Sequence, residues 1–309
     1  KDMLMERPIP LYVGSGSPLS NVGTLTNQGI ELEVGYKLSV DKVNLSFLAN
    51  ASYVKNEIKN LGNQTGYIDK ESLPTLGTVS RNENGYPIGY FFGYKAIGVF
   101  QTQEEIDSYI SPATGKPIQP NAAPGDTKFE DLNGDGVISD DNEDRTMIGK
   151  PNPDWMVGLT VAADWNGFDL SAFFQGSFGA DVFDALRRYE LAAVNYTSDA
   201  LERWTGPGTS NSMPRIVLGD TPKNFRPSTL LVHDASFLRL RNLQVGYTLP
   251  AQLTRKAYIQ RLRFYASFDN LLTITGYKGM DPEIGSTMGI DKGVYPQARV
   301  YTFGLNLTF

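Results

Sequence analysis

Apolar and polar residues alternate, position by position, over stretches of this chain far longer than an ordinary strand. Ile30, Leu32, Val34, Tyr36, Leu38 and Val40 share one parity, and Glu31, Glu33, Gly35, Lys37 and Ser39 the other. The pattern returns at Val43, Leu45, Phe47, Ala49, Ala51 and Tyr53, and again at Trp155, Val157, Leu159, Val161, Ala163 and Trp165. It continues through Phe168–Gly176, Leu243–Leu249, Leu262–Phe268 and Tyr301–Phe309, about seven segments in all. Successive side chains of a strand point to opposite faces, so a period of two gives one apolar and one polar face. Runs of ~9–13 residues exceed the usual ~5–6 and match what a tilted strand needs to cross a bilayer. A large soluble sandwich also alternates, and the pattern alone does not separate the two.

The connections do. Asp41-Lys42 and Asn166-Gly167 each join two segments directly, and Asn-Gly supplies the positive φ values of a two-residue hairpin. "PAQLTRKAYIQ" is a third short link. Between them stand long excursions, over 56–154, 179–236 and 276–296. Short and long connections alternate, as in outer-membrane barrels with short periplasmic turns and long external loops. The expected fold is all-β, a membrane-spanning antiparallel β-barrel. Barrels of single bacterial chains close with even strand numbers, so about seven spans describe part of a larger barrel, with Lys1–Pro8 the tail of a preceding strand. In "FLRLRNLQVGY" the phase changes at Arg241-Asn242, which predicts either a β-bulge or a strand leaving the bilayer as an external ribbon.

Composition narrows the functions. Net charge is −6, with both signs mixed along the chain, which excludes the clustered basic face of a nucleic-acid binder. There is no cysteine, hence no disulfide framework or thiolate metal site. No apolar run approaches the ~18 residues of a membrane helix, and the first residues lack the apolar core of a secretory signal.

Five stretches in order, "NVGTLTNQGIELEV", the run from "GDTKFEDLNGDG" to "FQGSFGADVFD", "ASFLRLRNLQVGYTLP", "LRFYASFDNLLTITGYKGMDPE" and "YPQARVYTFGLNLTF", resemble the SusC-like branch of TonB-dependent outer-membrane transporters. The resemblance covers nearly the whole chain. It implies a 22-stranded barrel around a plug domain, energy coupling through TonB and a SusD-like surface lipoprotein as a lid. It also implies import of a bulky nutrient, an oligosaccharide or peptide, through the outer membrane of a Gram-negative, Bacteroidota-like cell. The plug and the first half of the barrel are not in this chain.

"DLNGDGVISDDNEDR" is the one constellation with metal chemistry. Asp131, Asn133 and Asp135 at spacing two, Gly136 at the turn and the Val137 carbonyl match the first half of an EF-hand-type loop. The expected ion is Ca²⁺, with Mg²⁺ second because it keeps its waters. The twelfth position is Asn142, so Asp144, and next Asp140, are the candidate closing ligands. The plainer alternative is a solvated Asx-rich turn.

His233, the only histidine, has no nucleophile motif beside it and is expected to be an ordinary loop residue; no catalytic constellation is present. The aromatic residues of 86–100 could stack on sugars or pack inside a loop subdomain. "DALRRYELAAV" is expected to be a short helix with Arg187 and Arg188 on a solvated face. Arg239, Arg241, Arg261 and Arg263 fall at lumen-facing positions, to contact substrate or acidic neighbours. The competing reading of the whole is a soluble, Ca²⁺-stabilised β-sandwich adhesin or carbohydrate-binding module.

Overall fold

The computed structural model describes residues 3–6, 19–140, 142–189, 191, 194–284 and 288–309. Its main element is an eight-stranded sheet, the wall, whose strands follow one another in chain order. They are β1 (Met3–Glu6), β2 (Leu19–Val40), β3 (Val43–Asn60) and β4 (Trp155–Trp165). β5 (Phe168–Phe178), β6 (Phe237–Thr248), β7 (Arg261–Thr275) and β8 (Val300–Thr308) complete it. All neighbours pair antiparallel. β1 lies against the start of β2, with Met3 opposite Gly23, where the tail of a preceding strand was expected.

The tight turns form as their residues dictate. Asp41 (φ 52°) turns β2 into β3, and Asn166 (φ 46°) with Gly167 (φ 86°) turns β4 into β5, the left-handed backbone that Asn-Gly tolerates. The third link holds an α-helical turn, Ala251–Thr254, followed by a 3-10 turn, Arg255–Ala257. β2 and β3 stay paired beyond the expected span, up to Thr24 opposite Asn60, so their hairpin projects past its neighbours.

The phase change in β6 is a bulge. Phe173 stands opposite Asn242 and Phe174 opposite Leu240, which leaves Arg241 as the extra residue. β7 answers at Asn270 (φ 53°), with Leu240 opposite Leu272 and Asn242 opposite Asp269. Leu238, Leu240, Leu243 and Val245 thereby share a face despite the broken parity, and β6 remains in the wall throughout.

The long connections leave the same end of the wall and pack on one another as a lobe. Leu73, Val79 and Phe91 of the first, Phe183, Ala185 and Leu231 of the second and Ile290 of the third share one core. The wall is the opposite case. Leu159, Phe264 and Leu305 are 37%, 47% and 58% exposed, and every other described sheet lies within the long connections. No second layer among the described residues covers the apolar face, so the β-sandwich expectation fails and the wall is part of a barrel. Among the described residues no helix is long and apolar enough to cross a membrane; the strands do so.

Among the described residues of 184–194 the expected helix is not formed. Asp184 ends a short strand, Asp181–Asp184, its Oδ1 accepts from Leu186 N at 2.9 Å, and Ala185 N donates to Asp291 O. These bonds compete with a helical turn. Residues 190, 192 and 193 lie outside the described residues.

Candidate functional site

The polar face of the wall is organised by register. Asn50 of β3 and Gln175 of β5 flank Gly158 of β4, where a Cβ would come 2.6 Å from Asn50 Oδ1. Arg263 of β7 reaches across β6 to Asp169 of β5, Nε to Oδ1 at 2.8 Å. The residue it passes is Gly246, where a Cβ would meet Arg263 Nη2 at 2.5 Å.

The bulge turns Arg241 and Asn242 to this same face in succession. Arg241 donates to Gln175 Oε1 at 2.7 Å and to Glu283 Oε1 at 2.6 Å. Beside it Arg239, only 2% exposed, donates to Asp281 Oδ1 at 2.5 Å and Glu283 Oε2 at 3.1 Å. Asn242 donates to Asp269 Oδ1 at 2.7 Å. Both arginines thus bolt the Asp281–Glu283 corner of the last excursion to the wall. Asp281 also accepts from Gln297 N and Glu283 N. Burial pushes its carboxyl up, but these amides and Arg239 outweigh it and hold it below the usual value.

The acidic loop sits in the lobe. Asp131 accepts from Gly134 N at 2.8 Å and Gly136 N at 2.9 Å. Asn133 Oδ1 accepts from Asp135 N, and Asp135 Oδ1 from Val137 N, at 2.9 and 2.8 Å. Gly136 (φ 86°) presses against Ser111, where a Cβ would come 2.7 Å from Oγ. The two expected closing ligands are engaged elsewhere. Asp144 is fully buried and braces the loop from inside, accepting from Leu132 N at 3.1 Å and Ser139 N at 3.0 Å. Asp140 turns outward to Lys223 and lies 3.8 Å from Arg226. The carboxylate that joins the exposed side is Glu143, whose Oε2 accepts from Asn133 Nδ2 at 2.9 Å. Among the described residues no three Asp, Glu or His are gathered to hold a metal.

The remaining candidates are structural. Tyr90, Phe91, Phe92, Tyr94 and Phe100 are all buried in the lobe, which rules them out as a sugar-stacking platform. Arg187 pairs with Asp184 at 2.9 Å and with Asp199, and Arg188 donates to Pro74 O at 3.0 Å; neither forms the expected solvated face. His233 lies in a short strand, Val232–Asp234, with Nε2 3.7 Å from Asp184 and without a hydrogen bond. Burial, and then Arg187, push its imidazole below the usual value.

No family model matches the chain. Over its full length it is 32% identical to TonB-dependent receptor P3 of Formosa agariphila, covering 31% of that protein. It is 30% identical to TonB-dependent receptor SusC of Bacteroides thetaiotaomicron, covering 29% of it. The structure of the RagAB peptide transporter superposes on the whole chain with a TM-score of 0.77 at 28% identity, 32% of that chain being covered. The chain therefore spans about a third of the length of the curated relatives it matches, which are receptors and not enzymes. In sequence and in fold the chain is thus similar over its whole length to the C-terminal barrel part of the SusC-like TonB-dependent receptors.

Proposed function

We propose that the intact protein imports a bulky nutrient, an oligosaccharide or a peptide, across the outer membrane of a Bacteroidota-like cell. TonB supplies the energy through the parts of the receptor outside this chain, and a SusD-like lipoprotein closes over the lobe. The observation that carries this reading is the uncovered apolar face of the wall. Its Ile30, Leu32, Phe303 and Leu305 side chains stand open, which a hydrocarbon surrounding makes favourable. The opposite face offers carboxylates, amides and guanidinium groups along which a hydrated solute can pass. The direct test is uptake of labelled oligosaccharides and peptides by cells carrying the full-length receptor, with and without TonB. Accumulation that requires both supports the reading, and equal uptake in cells lacking TonB would overturn it.

We further propose a Ca²⁺ clamp in the acidic loop, held by Asp131, Asn133, Asp135 and the Val137 carbonyl. Glu143 replaces Asp144 and Asp140 as the closing carboxylate. The spacing of the first four residues and the approach of Glu143 to Asn133 support it, and Asp131, Asp135 and Glu143, which do not yet converge, would draw together on the ion. The ion would neutralise crowded carboxylates and tie residues 131–143 into one unit.

A further inference from the structure

A cavity of about 600 Å³ opens on the lobe between the turn at Thr75–Gly77 and the segment Gly219–Pro227. Among the described residues three cations line it, Arg145, Lys223 and Arg226, together with two carboxylates, Asp140 and Asp220. Asp220 is buried, and its two oxygens accept from Asn224 N and Phe225 N at 2.9 Å each. Asp140 is the carboxylate that meets the cations, pairing with Lys223 and standing 3.8 Å from Arg226, with its side chain 65% exposed.

Apart from Asp140, the described groups that hold the two arginines are neutral. The Arg226 guanidinium lies 4.8 Å from the Tyr94 ring and 4.9 Å from the Phe129 ring, and that of Arg145 lies 4.3 Å from the Phe92 ring. Arg145 donates to the carbonyls of Thr78 and Phe92 and to Asn142, all neutral acceptors. Its Nε and the Nη1 of Arg226 are buried without a hydrogen-bond acceptor. A buried, unneutralised guanidinium is costly unless an anion completes it, and burial accordingly pushes the Arg145 guanidinium below its ordinary value. An oxyanion is the ligand whose geometry and charge answer such donors.

We infer that this cavity binds an oxyanion, a carboxylate, sulfate or phosphate group, borne by the imported solute, and that Asp140 stands in its place until the solute arrives. That an oxyanion binds rests on the cavity alone; that its bearer is cargo rests on the import reading above. Asp140 then acts as an internal competitor, and its removal has the opposite effect from its removal out of a merely structural ion pair.

The test is calorimetric titration of the full-length receptor in detergent with inorganic sulfate, triglutamate and trigalacturonate, with N-acetyl-trialanine amide, which has no carboxylate, as the neutral control. Triglutamate or trigalacturonate should bind and the blocked trialanine should not, and Lys223→Gln with Arg226→Gln should weaken binding by roughly tenfold or more. Asp140→Asn should tighten it several-fold, which also carries the test if the double variant fails to assemble. Equal affinity in wild type and double variant, or weaker binding by Asp140→Asn, would overturn the site. Binding of sulfate without either trimer would leave a free-ion site and overturn the cargo assignment. Trimer binding by a receptor that shows no TonB-dependent uptake would leave the site standing while the import reading falls.

Discussion

Arg239 and Asp281 form a buried ion pair that joins the wall to the last long loop, Nη2 to Oδ1 at 2.5 Å with side chains 2% and 7% exposed. Removing one partner of such a pair leaves a desolvated charge, at a cost of about 3–5 kcal/mol. Asp281→Ala should therefore lower the thermal midpoint of the detergent-solubilised receptor and open residues 278–297 to protease. Arg241→Gln removes a less buried partner of Glu283 and should have a smaller effect. Equal melting of wild type and Asp281→Ala would show that the loop is held by other contacts.

The same pair sets an acid limit. The Asp281 carboxyl is held below its ordinary 3.8, so its folded form binds a proton less readily than the unfolded chain. Its stabilisation is complete above about pH 4 and is lost as pH falls through the lower folded value. Protease accessibility of 278–297 should rise below that pH in wild type. Asp281→Asn, already open at neutral pH, should show less further change.

Lipid contact predicts an asymmetry between neighbours in β4. Leu159 is on the apolar face and Thr160 on the polar one, both near the middle of the strand. Leu159→Arg should cost about 2–4 kcal/mol, the value for arginine at the bilayer midplane, and reduce the heat-modifiable folded form in outer membranes. Thr160→Arg should leave that form nearly intact. Comparable losses from both would contradict an outward-facing Leu159.

His233 gives the lobe a separate pH response. Its imidazole sits below its ordinary 6.5, and Arg187, Asp184, Asp199 and Lys278 are the charges that act on it. The folded lobe favours neutral His233, so stability is full above about pH 6.5 and declines as pH falls, when the unfolded chain takes up the proton first. The protection factors of the Val232–Asp234 amides, corrected for the intrinsic pH dependence of exchange, should fall from pH 7.5 to 5.5, and His233→Gln should flatten that change. An unaltered slope in the variant would assign it to other groups.

For the acidic loop, chelation should raise cleavage within residues 125–150, and Asp131→Asn or Glu143→Gln should mimic it. Asp140→Asn should not, because that side chain faces Lys223. Cleavage unchanged by chelator would remove the clamp.

What the sequence determined by itself is the wall. A period of two is a local property, written into neighbouring residues, and Asp41-Lys42 and Asn166-Gly167 carry their turn geometry in their own backbone preferences. Even the broken phase at Arg241-Asn242 was legible as a bulge or a departing ribbon. The choice between them needed β5 and β7, since a bulge exists only relative to partner strands. The fates of charged residues were decided by tertiary structure alone. Glu71 meets Lys292 across 221 positions, and Asp140 meets Lys223 across 83. The EF-hand-like spacing put Asn142 at the closing position and left Asp144 and Asp140 as candidates, yet the fold draws one inward onto Leu132 and Ser139 amides and the other outward to a cation. A carboxylate goes where the donors are: for Asp144 these are amides of its own loop, and for Asp140 a lysine 83 positions away that comes beside it only when the long loops pack on one another.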